Sequence, residues 1–195
     1  MTHAFPLFPL STLLFPHGRL ELRLFEPRYL DMVSRCMRDR SGFGVVLLDR
    51  GSEAGTGQSF FNIGTEARIL DWDQGEDGLL HIVTEGARRF VVEESDTQSD
   101  GLVIAEVSFL PEPSPMDVPA EFAYLVEFID TLAERVELPH ALTDEERTDA
   151  NLLAYRLADL MPLDPRMRVE LLATSDPIAR LRHFHEMFAK SAPKH

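Results

Sequence analysis

The stretch LFEPRY, residues 24–29, marks the point where the chain changes from a strand pattern to a helix pattern. Before it, Leu20 and Leu22 alternate with Glu21 and Arg23, the period of two that predicts a half-buried strand. After it, apolar residues recur at the spacing of one helix face, at Tyr29, Met32, Val33, Cys36 and Met37. The sequence therefore predicts a strand followed directly by an amphipathic helix.

The residues at this corner allow two interpretations. In the structural one, Pro27 begins the helix, Glu26 favours its positive N-terminus and Arg28 pairs with a carboxylate. Phe25 and Tyr29 then anchor the helix on the sheet. In the other interpretation, Arg28 and Tyr29 face a partner across a recognition cleft. The structural interpretation is favoured, and the second stays open.

Further strands are predicted in the first 110 residues, at Phe43–Leu48, Ile63–Trp72, Leu79–Thr84, Arg88–Glu93 and Leu102–Phe109. The pairs Asp77-Gly78, Glu85-Gly86 and Asp100-Gly101 predict turns between them, because glycine accepts a positive φ at low cost. The pair Ser41-Gly42 predicts the end of the helix. Short strands at this spacing predict an antiparallel, barrel-like sheet.

Two motifs within these strands are candidate binding residues. In the sequence GARRF, residues 86–90, alternation places Arg88 on one face of a strand and Arg89 on the other. These arginines can bind a ligand carboxylate or pair with the protein's own acidic groups, and the second role is favoured. Phe60 and Phe61 also point to opposite faces, so one of them can be exposed beside the predicted mobile loop at residues 51–58, with burial as the alternative.

The prolines of residues 111–119 predict a stiff connector, after which residues 120–195 predict helices. Asp117 is a candidate cap for the first helix, and Thr143 begins a capping box with Glu146. Two Asp-Pro pairs predict further helix starts, at Asp164-Pro165 and Asp176-Pro177. The domain prediction is a β-rich part at residues 1–110 with one helix, the connector, and a helical subdomain at 120–195.

Composition excludes several classes of protein. Against 33 acidic residues there are 19 basic ones, a net charge of −14, which disfavours a free nucleic-acid binder. A single cysteine, Cys36, excludes an internal disulfide framework and a site with several thiolates. The sequence has no run of about 18 apolar residues. These features predict a cytoplasmic protein that binds neither nucleic acid nor membrane.

Motifs for the common catalytic sites are missing. The sequence has no phosphate-binding P-loop, no Gly-x-Gly-x-x-Gly after a strand and no Gly-x-Ser-x-Gly elbow. Its two lysines, Lys190 and Lys194, lie near the end of the chain. His183 and His185 point apart on a predicted helix, which disfavours a shared metal ion. We expect no cofactor, no metal and no catalytic residues.

An ordered set of motifs resembles the N-terminal substrate-binding domain of the Lon protease family, and in particular the small bacterial proteins made of that domain alone. The set spans nearly the whole chain: FPLFPL at 5–10, LFPHG at 14–18, FEPRY at 25–29, FGVVL at 43–47, IGTEA at 63–67, DG at 77–78, HI at 81–82, GARRF at 86–90, and the helical end from MPL at 161–163 through ELL at 170–172 to RL at 180–181. The resemblance implies an α+β fold, in which an antiparallel PUA-like pseudo-barrel precedes a C-terminal helical bundle. It also implies binding of unfolded or tagged polypeptides.

The leading hypothesis is a non-catalytic polypeptide-binding protein, an adaptor in protein quality control whose partner is an unfolded polypeptide or another protein. The resemblance does not imply protease activity, and we expect none, because the ATPase and peptidase modules of the full protease have no counterpart in this sequence. The alternative is a small-ligand or enzymatic module that uses the region of Glu26, Arg28 and Arg88. A third hypothesis, RNA binding, conflicts with the net charge. Candidate binding residues are Phe25, Glu26, Arg28, Tyr29, Phe60, Phe61, Arg88 and Arg89.

Overall fold

A computed structural model describes residues 5–50, 59–135 and 142–191 of the 195-residue chain. Within them the strands are β1 Phe5–Leu10, β2 Arg19–Leu24, β3 Phe43–Arg50, β4 Ser59–Gln74, β5 Leu80–Thr97 and β6 Val103–Phe109. The helices are α1 Pro27–Asp39, a 3-10 turn at Ala120–Phe122, α2 Ala123–Arg135, α3 Asp144–Thr148, α4 Ala150–Leu160, α5 Pro165–Ala173 and α6 Pro177–Ser191. The predicted mixture of α and β is confirmed. The loop predicted at 51–58 lies outside the described residues.

The six strands form one sheet in the order β2-β5-β4-β3-β1-β6. Strand β6 pairs with β1 on one side and with β5 on the other, so five of the strands form a closed circuit. The prediction of an antiparallel sheet is wrong for one pair, because β1 runs parallel to β3. Strand β2 and helix α1 lie between these two in the chain, and such a crossover is what parallel pairing requires.

The turn predicted at Glu85-Gly86 is wrong, because both residues lie inside the long strand β5. The lack of a side chain at Gly86 allows the backbone at Phe15 to pack closely against β5. A Cβ atom there would lie 2.1 Å from the carbonyl oxygen of Phe15. The Gly86 N–H donates to Gly18 and its carbonyl accepts from His17, at 2.9 and 2.8 Å. A segment before β2 therefore contacts the middle of β5 through backbone atoms.

The two Asp-Gly turns are confirmed, since Gly78 and Gly101 have φ values of 78° and 86°. Helix α1 ends slightly earlier than predicted. Its left-handed residue is Arg40, with φ 53°, and the Ser41 N–H donates to the carbonyl of Cys36. The helix therefore ends on an arginine, and no glycine occupies the left-handed position.

Two apolar clusters stabilise the strand-rich part. The first joins α1 to the sheet through buried side chains that include Phe8, Tyr29, Met32, Val33, Cys36, Phe43 and Ile82. The second is contributed by strands of the closed circuit, at Leu7, Val46, Phe90, Val103 and Ala105. Burial of one such side chain contributes about 1.5–3 kcal/mol for the larger residues.

The chain divides into two compact units, one of Met1–Glu112 with Asp164–Ala173 and the other of Pro113–Leu163 with Thr174–His195. Helix α5 thus groups with the strands, whereas the domain prediction placed it with the other helices. Within the first unit, the guanidinium of Arg168 on α5 lies 5.7 Å from the centre of the Phe15 ring.

The helices of the second unit begin largely where the caps predict. The Thr143 capping box is present, and Asp176 accepts a hydrogen bond from the Ile178 N–H at the start of α6. The cap predicted at Asp117 is wrong, because this residue forms an isolated bridge with Asp149 and the 3-10 turn begins after Pro119. The prolines at 113–119 favour extended backbone, which suits a bridge better than a cap.

Candidate functional site

The corner at Glu26 and Arg28 is an internal contact. Arg28 is 7% exposed, and its Nη2 lies 2.7 Å from a carboxylate oxygen of Glu26. Its Nη1 donates to the carbonyl of Gly101 at 2.7 Å, and its guanidinium lies 4.7 Å from the centre of the Tyr29 ring. Arg28 therefore connects the start of α1 to the β5–β6 turn, as the structural interpretation expects.

The two aromatic residues of this corner have different surroundings. Tyr29 is buried and stacks on Phe8, with ring centres 3.8 Å apart. Phe25 is 64% exposed. The expectation that Phe25 anchors the helix on the sheet is therefore wrong, and Phe25 is available to a partner, whereas Tyr29 contributes to the core as expected.

The adjacent arginines Arg88 and Arg89 lie on opposite faces of β5, as alternation predicts. Arg89 has no exposed surface. It donates to a Glu112 carboxylate oxygen at 2.8 Å and to the carbonyls of Leu172 and Pro111 at 2.8 and 3.3 Å. It therefore ties α5 and the chain after β6 to the sheet.

Arg88 is about half exposed and has two internal contacts. Its Nε donates to a carboxylate oxygen of Glu66 at 2.9 Å, and its guanidinium lies 3.7 Å from the centre of the Phe109 ring. The aromatic pair beside the predicted loop is half-buried at both positions, and Phe60 packs against the second apolar cluster.

A groove of about 510 Å³ lies between the C-terminal end of α1 and strand β4. Three of its lining side chains are large and apolar, yet substantially exposed: Met37 at 37%, Leu70 at 49% and Trp72 at 56%. None of the three was predicted as a site residue, because Met37 continues the apolar stripe of α1 and the other two fall inside a predicted strand. The sequence signal was the run Ile69-Leu70, which interrupts strict alternation where β4 has an irregular register.

The groove is lined by one buried acidic side chain and two exposed basic ones. Glu66 is 6% exposed and accepts the hydrogen bond from Arg88, while Arg68 lies 3.8 Å away with 60% of its side chain exposed. Arg40, also exposed, lines the same groove. Arg40 and Arg68 are therefore the exposed arginines at the rim of the groove, and Arg68 shares the carboxylate of Glu66 with Arg88.

The remaining wall is closely packed. Burial raises the pKa of the Cys36 thiol, and the thiol lies 3.4 Å from the Gly42 carbonyl oxygen, to which it donates. A Cβ atom at Gly42 would lie 2.6 Å from the Ala67 carbonyl oxygen. The neutral thiol is therefore part of the packing of this wall and is poorly suited to act as a nucleophile.

In the part of the chain that the structure describes, no three His, Cys, Asp or Glu residues are grouped so that they could bind a metal ion. Across residues 5–50, 59–135 and 142–191, none of the helices combines the length and the apolar character that crossing a membrane requires.

Comparison with known proteins identifies the family. The sequence matches the family model described as the ATP-dependent protease La (LON) substrate-binding domain over residues 4–190. The chain belongs to the LON substrate-binding domain family. A crystal structure of this LON family, the Lon N-terminal domain protein from Xanthomonas campestris, is 35% identical with a TM-score of 0.79, and the match covers 94% of this chain and 98% of that one. The resemblance to the substrate-binding domain of the Lon protease family is confirmed.

Longer relatives match this chain over part of their own length. Cereblon from Xenopus tropicalis is 26% identical over 235 residues, which cover 91% of this chain and 52% of cereblon. Lon protease from Phenylobacterium zucineum is 24% identical, with 89% of this chain and 23% of the protease covered. The chain therefore spans about half the length of cereblon and about a quarter of Lon protease.

Proposed function

We propose that this chain is a non-catalytic polypeptide-binding module that acts as an adaptor in protein quality control. The observation that carries the proposal is the groove beside β4, where Met37, Leu70 and Trp72 expose apolar surface. Exposed apolar side chains grouped in a groove are typical of sites that bind other proteins. Membership of a family described as substrate-binding supports the same role.

The proposal includes a more specific description of the fold. We interpret the closed circuit of five strands as a PUA-like pseudo-barrel and the helices of the second unit as a bundle. The domain limits at residues 1–110, 111–119 and 120–195 remain a prediction, as does a cytoplasmic location.

The residues predicted for binding take different roles in the proposal. Phe25 is the exposed candidate for direct contact, and Arg88, Phe60 and Phe61 are partly exposed. The other four predicted binding residues have internal, structural roles, because they are buried or paired within the protein. These are Glu26, Arg28, Tyr29 and Arg89. The alternative of a small-ligand site at Glu26, Arg28 and Arg88 requires the pairs Glu26–Arg28 and Glu66–Arg88 to open, which disfavours it.

The test is a fluorescence-anisotropy titration of the full chain with a labelled, permanently unfolded polypeptide. A labelled folded protein of similar size is the control. We expect saturable binding of the unfolded polypeptide alone. Absence of binding at high micromolar protein, or equal binding of the folded control, would overturn the proposed function.

A further inference from the structure

One part of strand β4 has a neighbour on one side only. Pairing of β3 with β4 reaches Phe43 opposite Ala67, where β3 begins. Beyond that point β4 continues to pair with β5, from Arg68 opposite Glu85 to Gln74 opposite Leu80. Among the described strands, none pairs with the other side of Arg68–Gln74. An unpaired strand edge is a template for an additional strand.

The groove described above runs beside this unpaired edge. Its β4 wall includes Arg68, Leu70 and Trp72, and its opposite wall is the end of α1 with Ser41 and Gly42. The volume of about 510 Å³ lies within the range of sites that enclose a ligand. An extended segment placed along the edge would therefore lie beside backbone groups of β4, with apolar side chains within reach. The Trp72 N–H already donates to the Asp71 carboxylate at 2.8 Å, so a bound segment replaces that carboxylate as the acceptor.

The charges indicate what kind of segment fits. The exposed arginines at the rim, Arg40 and Arg68, are complementary to an acidic side chain. Among nearby acids, Glu66 is paired with Arg88 and Asp39 lies 3.4 Å from Arg38. The carboxylate of Asp71 accepts a hydrogen bond from the Trp72 N–H at 2.8 Å, and Glu85 lies opposite Arg68 on the paired strand β5.

We infer that the edge Arg68–Trp72 of β4 accepts an extended polypeptide segment as an added strand, and that the preferred segment combines apolar residues with at least one acidic residue. The inference rests on the proposed function and specifies its site and the chemistry of the partner. A second copy of this chain fits less well, because pairing of two such edges brings Arg68 and Arg40 toward their own counterparts.

The chain carries its own probe of this site, because Trp72 is its single tryptophan. The experiment titrates the full chain with a synthetic peptide of about ten apolar and glutamate residues. We expect saturable change in the Trp72 emission and slower amide hydrogen exchange at residues 68–72. A peptide with lysine in place of glutamate is expected to bind about ten-fold more weakly. A peptide methylated on alternate backbone nitrogens is expected to lose binding, because it lacks donors for the edge.

Two variants separate the side-chain contributions. Trp72→Ala is expected to weaken peptide binding by about ten-fold or more, measured by anisotropy of a labelled peptide, with Met116→Ala as a matched control outside the groove. Arg68→Gln is expected to remove the preference for glutamate over lysine, with Arg182→Gln as its control. Circular dichroism of each variant checks that it is folded.

The outcomes distinguish this inference from the proposed function. If the unfolded polypeptide binds but Trp72→Ala and Arg68→Gln leave its affinity unchanged, the edge is not the site, and the function stands. Peptide binding without protection at residues 68–72 overturns the inference in the same way. Protection of this edge that rises with protein concentration in the absence of peptide shows that a second copy occupies it, and this also overturns the inference.

Discussion

At the scale of single residues, Gly86 shows how one residue type can serve two purposes. Glycine after an acidic residue predicts a turn, and that prediction is right at Gly78 and Gly101, where φ is positive. At Gly86 the glycine makes room for the carbonyl of Phe15. Local sequence cannot distinguish these roles, because the approaching segment lies about seventy residues away in the chain.

Substitution of Gly86 by alanine is expected to destabilise the protein by about 2–3 kcal/mol, because backbone must move to make room for the added methyl group. The measurement is urea unfolding followed by circular dichroism. Gly78→Ala is the matched control, since its Cβ meets open space and only the positive φ is unfavourable, at a cost of about 1 kcal/mol. A smaller loss for Gly86→Ala than for Gly78→Ala contradicts this account.

The orientation of the two adjacent arginines in β5 could be predicted from the sequence. Alternation correctly places Arg88 and Arg89 on opposite faces, because the period of a strand is local. The exposure of Leu70 and Trp72 could not be predicted in this way, since it depends on where β3 begins relative to β4. The exposure of Phe25 and the groove were both missed, because each depends on how distant parts of the chain pack.

At the scale of elements, helices α2 and α3 are joined by an ion pair. Both terminal nitrogens of Arg147 donate to the carboxylate of Asp130 at 2.7 Å. These hydrogen bonds hold the pKa of Asp130 below its ordinary value of 3.8 and raise that of Arg147. A carboxyl whose pKa is lower in the folded state contributes stability above its unfolded pKa, and this is lost as the pH falls through the folded pKa.

We therefore expect Asp130→Asn to lower the Tm at pH 7, with the difference from the unmodified chain shrinking as the pH falls below about 3.8. The effect on the Tm is small, because both side chains are about a third or more exposed and water screens the pair. Arg147→Gln is the reciprocal variant and should show the same trend, and the double variant should lose little more than either one. A difference in Tm that stays constant from pH 7 to pH 3 contradicts the role of the pair.

At the scale of the whole molecule, the chain returns to its strand-rich unit after leaving it. Helix α5 belongs with the strands although the second unit's residues Pro113–Leu163 precede it. Caps and prolines correctly indicate where α5 begins, at Asp164-Pro165. They do not indicate which surface a helix packs on, and the domain prediction therefore followed chain order.

Arg89 connects the separated parts of this unit, so Arg89→Met is expected to cost about 3 kcal/mol. Removal of a buried cation leaves Glu112 and two carbonyls without their donor. Arg38→Met, which removes the exposed pair with Asp39, is the control and is expected to cost less than about 1 kcal/mol. Urea unfolding of both variants gives the comparison, and equal losses would show that burial of Arg89 does not set its contribution.

The return of α5 has a consequence for synthesis on the ribosome. The last strand, β6, emerges before Pro113–Leu163, and the helix that completes its unit emerges after that stretch of about fifty residues. At a synthesis rate of about 5–20 residues per second, α5 is made roughly 3–10 seconds after the last strand of the sheet. During this interval Arg89 lacks its partner at Leu172. The strand-rich unit is therefore completed only after Pro113–Leu163 and α5 have been synthesised, whichever of its strands form first.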